Sequence, residues 1–313
     1  MSEMAALALL GDMLVRATPL ILAGLAVAVA FKGGVLNIGA EGQLLIGACT
    51  STAVSLKFGS TLGPLTIIVA LIIGMLAGAL WAAIAAELRN RFHVLEVIST
   101  IMLNFVALYL ISFLVRGPLQ EPTRIYPQTS TIAPFTQLPV ILEGTRLHIG
   151  FILAIAAGLI AWWVVRNTVA GFRLRLTGAN PRAARIAGMV NVERTTRNVF
   201  LISGALAGLA GAIEVHGVTF ALYENISPGY GYTAIAVALL AGLNPAWVIA
   251  SGILFGALEA GASALQRDAG VPSTLVWVVE AAVILTVLGT ESYRSRRSRQ
   301  FVAPEFAAAQ GSS

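Results

Sequence analysis

Lysine occurs only twice in this sequence, at Lys32 and Lys57, and cysteine once, at Cys49. Charge of both signs is scarce: 11% of the 313 residues are charged, against about 25% in an average soluble domain. A single cysteine excludes an intrachain disulfide and a thiolate metal cluster. Neither lysine stands in a G-x-x-x-x-G-K-[ST] setting, so the chain has no phosphate-binding loop for ATP. H-E-x-x-H and G-x-S-x-G are absent too. The histidines His93, His148 and His216 are far apart, and Glu214 and His216, two positions apart, do not share a helix face. Nothing therefore points to a catalytic centre, a metal or a cofactor. The first 14 residues carry Glu3 and Asp12 and lack the positive start of a cleavable signal.

What the chain has instead is apolar length. Hydrophobic residues make up 57% of it and the mean hydropathy is +0.84. Such a chain needs lipid as solvent, where each crossing takes about 20 apolar residues. Apolar runs bounded by polar punctuation predict an all-α, polytopic membrane helix bundle of nine segments: 15–31, 35–56, 62–86, 94–115, 148–165, 198–217, 232–243, 246–265 and 274–290. The second of these is broken, and 232–243 is short enough to be a half-helix. The domain organisation follows as an extracytoplasmic segment 1–14, a membrane domain 15–290 and a basic tail 291–313. Small residues at helix-packing spacing, Gly74/Gly78, Gly204/Gly208 and Gly252/Gly256, predict close contacts between spans.

Charge placement orients the bundle. The loop 166–197 carries seven arginines against Glu193 alone, whereas the loop 117–147 balances Arg124 and Arg146 against Glu121 and Glu143. The tail adds Arg294, Arg296, Arg297 and Arg299. The positive-inside rule then makes 166–197 and the tail cytoplasmic and 117–147 extracytoplasmic. Nine crossings put the amino terminus outside and the carboxyl terminus inside. The same bias accounts for the net charge of +5 without nucleic acid as a partner.

Two stretches carry polar chemistry into apolar surroundings. Gly34-Val-Leu-Asn37-Ile-Gly-Ala-Glu41-Gly-Gln43 sets a carboxylate and two carboxamides among three glycines. Each glycine costs a helix about 1 kcal/mol relative to alanine, and a carboxylate in hydrocarbon costs about 2.5–3.5 kcal/mol or more. It reads as a gate or pathway segment, or as an edge loop whose polar groups face water. Tyr223-Glu-Asn-Ile-Ser-Pro-Gly-Tyr230-Gly-Tyr232 is an aromatic interface belt or a pathway lining. Within the spans, Glu96, Ser99, Asn104, Glu214, Glu259 and Glu280 are polar, with Glu259 and Glu280 the deeper acids. No Asp, Lys or Arg is expected deep in a span, which argues against an ion-coupled carrier.

The basic loop contains a second signal. Gly178-Ala-Asn180-Pro181-Arg182-Ala-Ala184-Arg185-Ile-Ala-Gly188 reads as a short helix capped by Asn180, started by Pro181 and stopped by Gly188. Such a helix suits either docking of a motor protein or contact with anionic lipid.

Three motifs together resemble a known family: Asn37-Ile-Gly-Ala-Glu41-Gly-Gln43, Glu96-Val-Ile-Ser-Thr-Ile-Met-Leu-Asn104 and the 178–188 stretch. Over about 15–290 the chain is similar to ABC importer permeases for nucleosides and simple sugars, themselves related to branched-chain amino acid and ribose permeases. The resemblance implies a cytoplasmic ATP-binding subunit, a second permease subunit and an extracytoplasmic substrate-binding lipoprotein of the basic-membrane-protein type. It implies that 178–188 is the coupling helix seated in the ATPase, and that the pathway runs between the two permeases. It also implies one more amino-terminal membrane helix than this chain carries. The pathway candidates are Asn37, Glu41, Gln43, Asn104, Tyr223, Tyr230 and Glu259. A stand-alone secondary carrier would need an ion site, and a membrane scaffold would not need the acidic second span.

Overall fold

The computed structural model describes residues 3–186, 188, 190–269 and the isolated positions 278, 281, 282 and 286. The segment expected at 274–290 lies almost wholly outside the described residues, as do Glu280 and the tail 291–313. The chain divides into two units, Met1–Gly261 and Ala262–Ser313; everything below concerns the first, except that its last helix runs on to Ala269.

Ten α-helices form the described body: α1 Glu3–Lys32, α2 Ala40–Leu62, α3 Leu65–Phe92, α4 Glu96–Val115, α5 Gly150–Asn167, α6 Val169–Ala179, α7 Pro181–Ile186, α8 Val192–Glu214, α9 Tyr230–Leu240 and α10 Pro245–Ala269. One turn of wider π-helix, Val215–Thr219, extends α8. Among the described residues six helices are long and apolar enough to cross a membrane: Leu7–Lys32, Leu65–Phe92, Glu96–Val115, Gly150–Asn167, Val192–Thr219 and Pro245–Arg267. The all-helical membrane bundle read from the sequence is what the chain forms. α9 is apolar but only 11 residues long.

Two expectations shift. α2 itself is continuous; the irregular backbone precedes it, at 33–39, where Gly34 takes φ +73°. α1 begins at Glu3, so most of the segment 1–14 forms the first turns of that helix. Arg16 thereby sits near the middle of a 30-residue helix rather than at its edge, which corrects the expectation that no basic residue lies deep in a span. The apolar run Ala5-Ala-Leu-Ala-Leu-Leu10 lets the helix start upstream of the expected boundary at 15.

α1 and α8 are enclosed by the rest, whereas α3, α4 and α5 present apolar side chains outward. The glycines make the enclosure possible. A Cβ built on Gly208 would strike the backbone carbonyl of Gly74 and approach the Gly78 Cα at 3.0 Å, and one on Gly78 would strike the carbonyl of Gly204. α2 joins the same contact, with Gly47 against the Gly208 backbone and Gly211 against the carbonyl of Leu44. Gly252 and Gly256 of α10 pack on Ile21, Ala17 and Met13 of α1; the rising and falling numbers make these two helices antiparallel. All three small-residue pairs read from the sequence therefore lie at helix contacts. Because the obstacles are backbone atoms, Gly208→Leu is expected to cost more than the ~1–3 kcal/mol of ordinary overpacking. Thermal unfolding of the detergent-solubilised complex would register it as a large drop in Tm, and an unchanged Tm would refute the close-packed α2–α3–α8 core.

Candidate functional site

The irregular stretch before α2 folds around its own polar side chains. Asn37 donates through Nδ2 to Gln43 Oε1 (3.1 Å) and to Ser203 Oγ of α8 (2.9 Å). Its Oδ1 accepts from the Gly39 amide (2.9 Å) and from Gln43 Nε2 (3.1 Å). Ser203 passes the chain on by donating to the Ala26 carbonyl of α1 (2.8 Å). Asn104 of α4 closes the other side: its Oδ1 accepts from the Gly42 amide (2.8 Å), and its Nδ2 donates to the Ile38 carbonyl (3.0 Å) and the Tyr232 hydroxyl (3.3 Å). Asn37, Glu41, Gln43 and Asn104 are all buried. The edge-loop reading, with these groups facing water, is therefore excluded; they form a hydrogen-bonded knot joining α1, α2, α4 and α8. Polar groups buried this way are retained because leaving any one unpaired is costly.

Glu41 reaches further. Its Oε2 accepts from the Gly231 amide (2.7 Å) in the first turn of α9, where the helix dipole favours a carboxylate. A Cβ on Gly231 would collide with the backbone of Ala40 and Glu41, so the starts of α2 and α9 touch main chain to main chain. Ser227 braces the turn into α9, its Oγ accepting from the amides of Gly229 (3.1 Å) and Tyr230 (3.0 Å). α9 thus begins beside residues about two turns inside α4, not at its end.

The chain arrives there as a non-helical descent. Beyond α8, Phe220 turns with φ +55°, and the Thr129 amide donates to the Leu222 carbonyl (2.9 Å), tying the segment to the 117–147 loop. Tyr223 pairs with Gln128 in an isolated bridge. Glu224 takes two bonds from Arg116 at the end of α4 (2.6 and 2.8 Å) and a short one from Ser112. Within the 117–147 loop, bonds from Gln128 and Thr123 hold the Glu121 carboxyl below the usual carboxylate range.

A second polar group lies between α1, α8 and α10. Arg16 Nη1 stands 3.9 Å from Glu259 Oε2. Glu214 and Tyr230 are buried and within electrostatic range of that pair. His216 is fixed in one tautomer: Nδ1 faces the Ala212 carbonyl (2.7 Å) and must donate, so Nε2 accepts from Ser55 (2.8 Å). Among the described residues no group of three or more His, Cys, Asp or Glu side chains could hold a metal ion.

The basic loop folds as two helices. Thr168 caps α6 by accepting from the Gly171 amide (3.1 Å), and Arg175 covers the end of α5 through the Val165 (2.7 Å) and Arg166 (3.2 Å) carbonyls. Asn180 then caps α7, accepting from the Ala183 amide (3.0 Å), with Pro181 in the first turn. Ala184 is buried, Arg182 and Arg185 are exposed, and Ile186 is 87% exposed. Gly188 turns with φ +65°, and Asn191 caps α8 at the Arg194 amide (2.8 Å). The end of α6 rests on the start of the irregular stretch: a Cβ on Gly178 would strike the Lys32 carbonyl, and one on Gly34 would lie 3.0 Å from the Gly178 Cα. Lys32 in turn donates to the Leu243 carbonyl between α9 and α10 (3.2 Å).

Residues 9–288 match the family described as the branched-chain amino acid transport system permease component. The chain belongs to this permease family. The guanosine ABC transporter permease protein NupP of Bacillus subtilis is 40% identical over 291 residues, 91% of this chain and 82% of NupP. The glucose ABC transporter permease protein TsgB13 of Haloferax volcanii is 39% identical over 301 residues, 92% of this chain and 78% of TsgB13. A second guanosine permease of Bacillus subtilis, NupQ, is 30% identical over 292 residues, 90% of this chain and 91% of NupQ. No solved structure matches the chain.

The protein is accordingly a multi-pass permease component of an ABC importer. Permease components are not themselves enzymes; they work with an ATP-binding subunit and a substrate-binding protein. Within the permease, the structure joins residues that the sequence left separate. Asn37, Gln43 and Asn104 share one knot, Glu41 is bonded to α9, and Tyr230, the first residue of α9, is buried within electrostatic range of the Arg16–Glu259 pair. Tyr223, at the far end of the descent, is bridged to Gln128 and lies within electrostatic range of Glu214 and Tyr230. Ser203, Gly231 and Arg16 were missed. Ser203 adjoins the Gly204/Gly208 pair, and that position was the available signal.

Proposed function

We propose that the permease forms one half of an inward pathway for a nucleoside or simple sugar, driven through α7 by a separate ATPase. The contact of Gly178 with Lys32 and Gly34 carries this reading. It sets the base of the exposed α7 three residues from Asn37, so that a push on α7 acts directly on the knot that holds α2, α4 and α9. Arg182, Arg185 and Ile186, exposed on the 178–188 stretch, are the surface offered to the ATPase. Asn37, Glu41, Gln43 and Asn104 hold the gate; Tyr223, Tyr230 and Glu259 belong to the path or its wall.

The cargo class rests on the relatives, which are named for guanosine and for glucose. A second permease of a different sequence fits NupP and NupQ, two guanosine permeases of one organism that resemble this chain to different degrees, 40% and 30%. The extracytoplasmic partner is a substrate-binding lipoprotein. Nine crossings, with the amino terminus outside and the tail 291–313 in the cytoplasm, follow from the arginines of 166–197. The aliphatic outward faces of α3 and α5 suit lipid.

The test is uptake of radiolabelled guanosine and glucose in cells holding the whole complex, with an intact or a hydrolysis-dead ATPase. One of the two labels should accumulate, and only with the intact ATPase. Accumulation that survives loss of hydrolysis would overturn the reading.

A further inference from the structure

One outward face differs from the others. On α3 the exposed residues from Leu65 to Ile84 are aliphatic, Leu65, Ile68, Ile72, Leu76 and Leu80 among them, with Phe92 only at the last position. On α4 the exposed stripe is Met102, Phe105, Tyr109 and Phe113, at spacings of three and four that fall on one side of a helix. Beside this stripe lies the non-helical descent to α9.

The depth of that descent can be read from its contacts. α4 has 20 residues, about 30 Å at 1.5 Å per residue, which is the thickness of the hydrocarbon layer. Glu224 is bonded to Ser112 and Arg116 at one end of α4, and Tyr232 is bonded to Asn104 near its middle. Residues 225–229, which are not helical, therefore run alongside the outer half of α4, at hydrocarbon depth. Tyr223, Asn225, Pro228 and Tyr232 are exposed there. Irregular backbone at that depth persists only where protein covers it or where it lines a water-filled cavity. Lipid cannot serve; the described body buries Ile226 but leaves Asn225 and Pro228 open.

We infer that the face made of the α4 stripe, segment 223–229 and Tyr232 is the surface that meets the second permease, with the pathway running along their seam. This rests on the importer reading above and assigns it a face: the apolar, aromatic side chains of α4 pack against the partner permease, and the polar descent beside them borders the water-filled path. α3 and α5 are then left to lipid. On α5 the exposed residues Ile152, Leu153, Leu159 and Ile160 are aliphatic, and Trp163, near its end, is the one exposed aromatic.

The experiment is site-specific photo-crosslinking in the assembled complex. p-Benzoylphenylalanine is placed at Phe105 or Tyr109, and, for comparison, at Leu76 of α3 or Ile152 of α5. Asn225→Cys is probed in a Cys49→Ser background with a membrane-impermeant thiol reagent. The expected result is a permease–permease adduct from 105 and 109, none from 76 and 152, and labelling of Asn225→Cys that cargo with its receptor slows severalfold. Adducts from 76 or 152 but not from 105 and 109, no permease adduct from any site, or an Asn225→Cys that the reagent never reaches would overturn the assignment. ATP-dependent uptake by the parent complex, measured alongside, keeps a wrong face distinct from a wrong function.

Discussion

Changing Ile186 to Glu, alone or together with Arg185→Glu, should strip the permease of its ATPase while leaving it folded in the membrane. α7 is only six residues long, too short to stand alone, and it is held by the Asn180 cap and by the buried Ala184. Neither substituted side chain supports it. Ile186 is 87% exposed. Arg185 makes an exposed pair with Glu193 at 3.4 Å, of a kind worth about 0–1 kcal/mol. The stability cost is therefore small. The docking cost should be large: if Ile186 is the anchor of the proposed ATPase contact, losing it costs about 2 kcal/mol or more, roughly a 30-fold loss of affinity. Capture of the ATPase by the solubilised permease should fall by that factor and ATP-driven uptake should drop to background. Near-normal capture by the double variant would show that α7 is not the docking element.

The bundle was legible in the sequence because hydrocarbon leaves a chain so few options: apolar length gives helices. The α7 helix was legible for a different reason. Asn180, Pro181 and Gly188 act within a few residues of where they stand, so their caps and turns need no knowledge of tertiary contacts. The site was half legible. That Asn37, Glu41 and Gln43 would need partners followed from the cost of burying them, but which partners did not. Ser203 is 166 positions from Asn37 and Gly231 is 190 from Glu41, and a hydroxyl or a glycine carries no local sign of such a role. The same holds for Arg16, whose depth depends on where α1 begins.

Gly231→Ala should silence transport while sparing the ATPase contact. The added methyl has nowhere to go, since the atoms it meets are the main chain of Ala40 and Glu41 rather than a side chain that could swing aside. The start of α9 must move off α2, and the 2.7 Å bond from the Gly231 amide to Glu41 is then lost. A buried carboxylate without that donor loses about 1–3 kcal/mol or more, and α9 loses the negative group at its positive end. Glu41→Gln separates the two contributions: the amide oxygen still accepts from Gly231, the packing is kept, and only the charge is removed, so uptake should fall severalfold rather than vanish. Both variants leave α7 untouched and should capture the ATPase like the parent protein, the reverse of the Ile186 result. Transport at the parental rate in Gly231→Ala would mean that α9 and α2 can separate freely. The knot would then be a packing device with no part in opening the path.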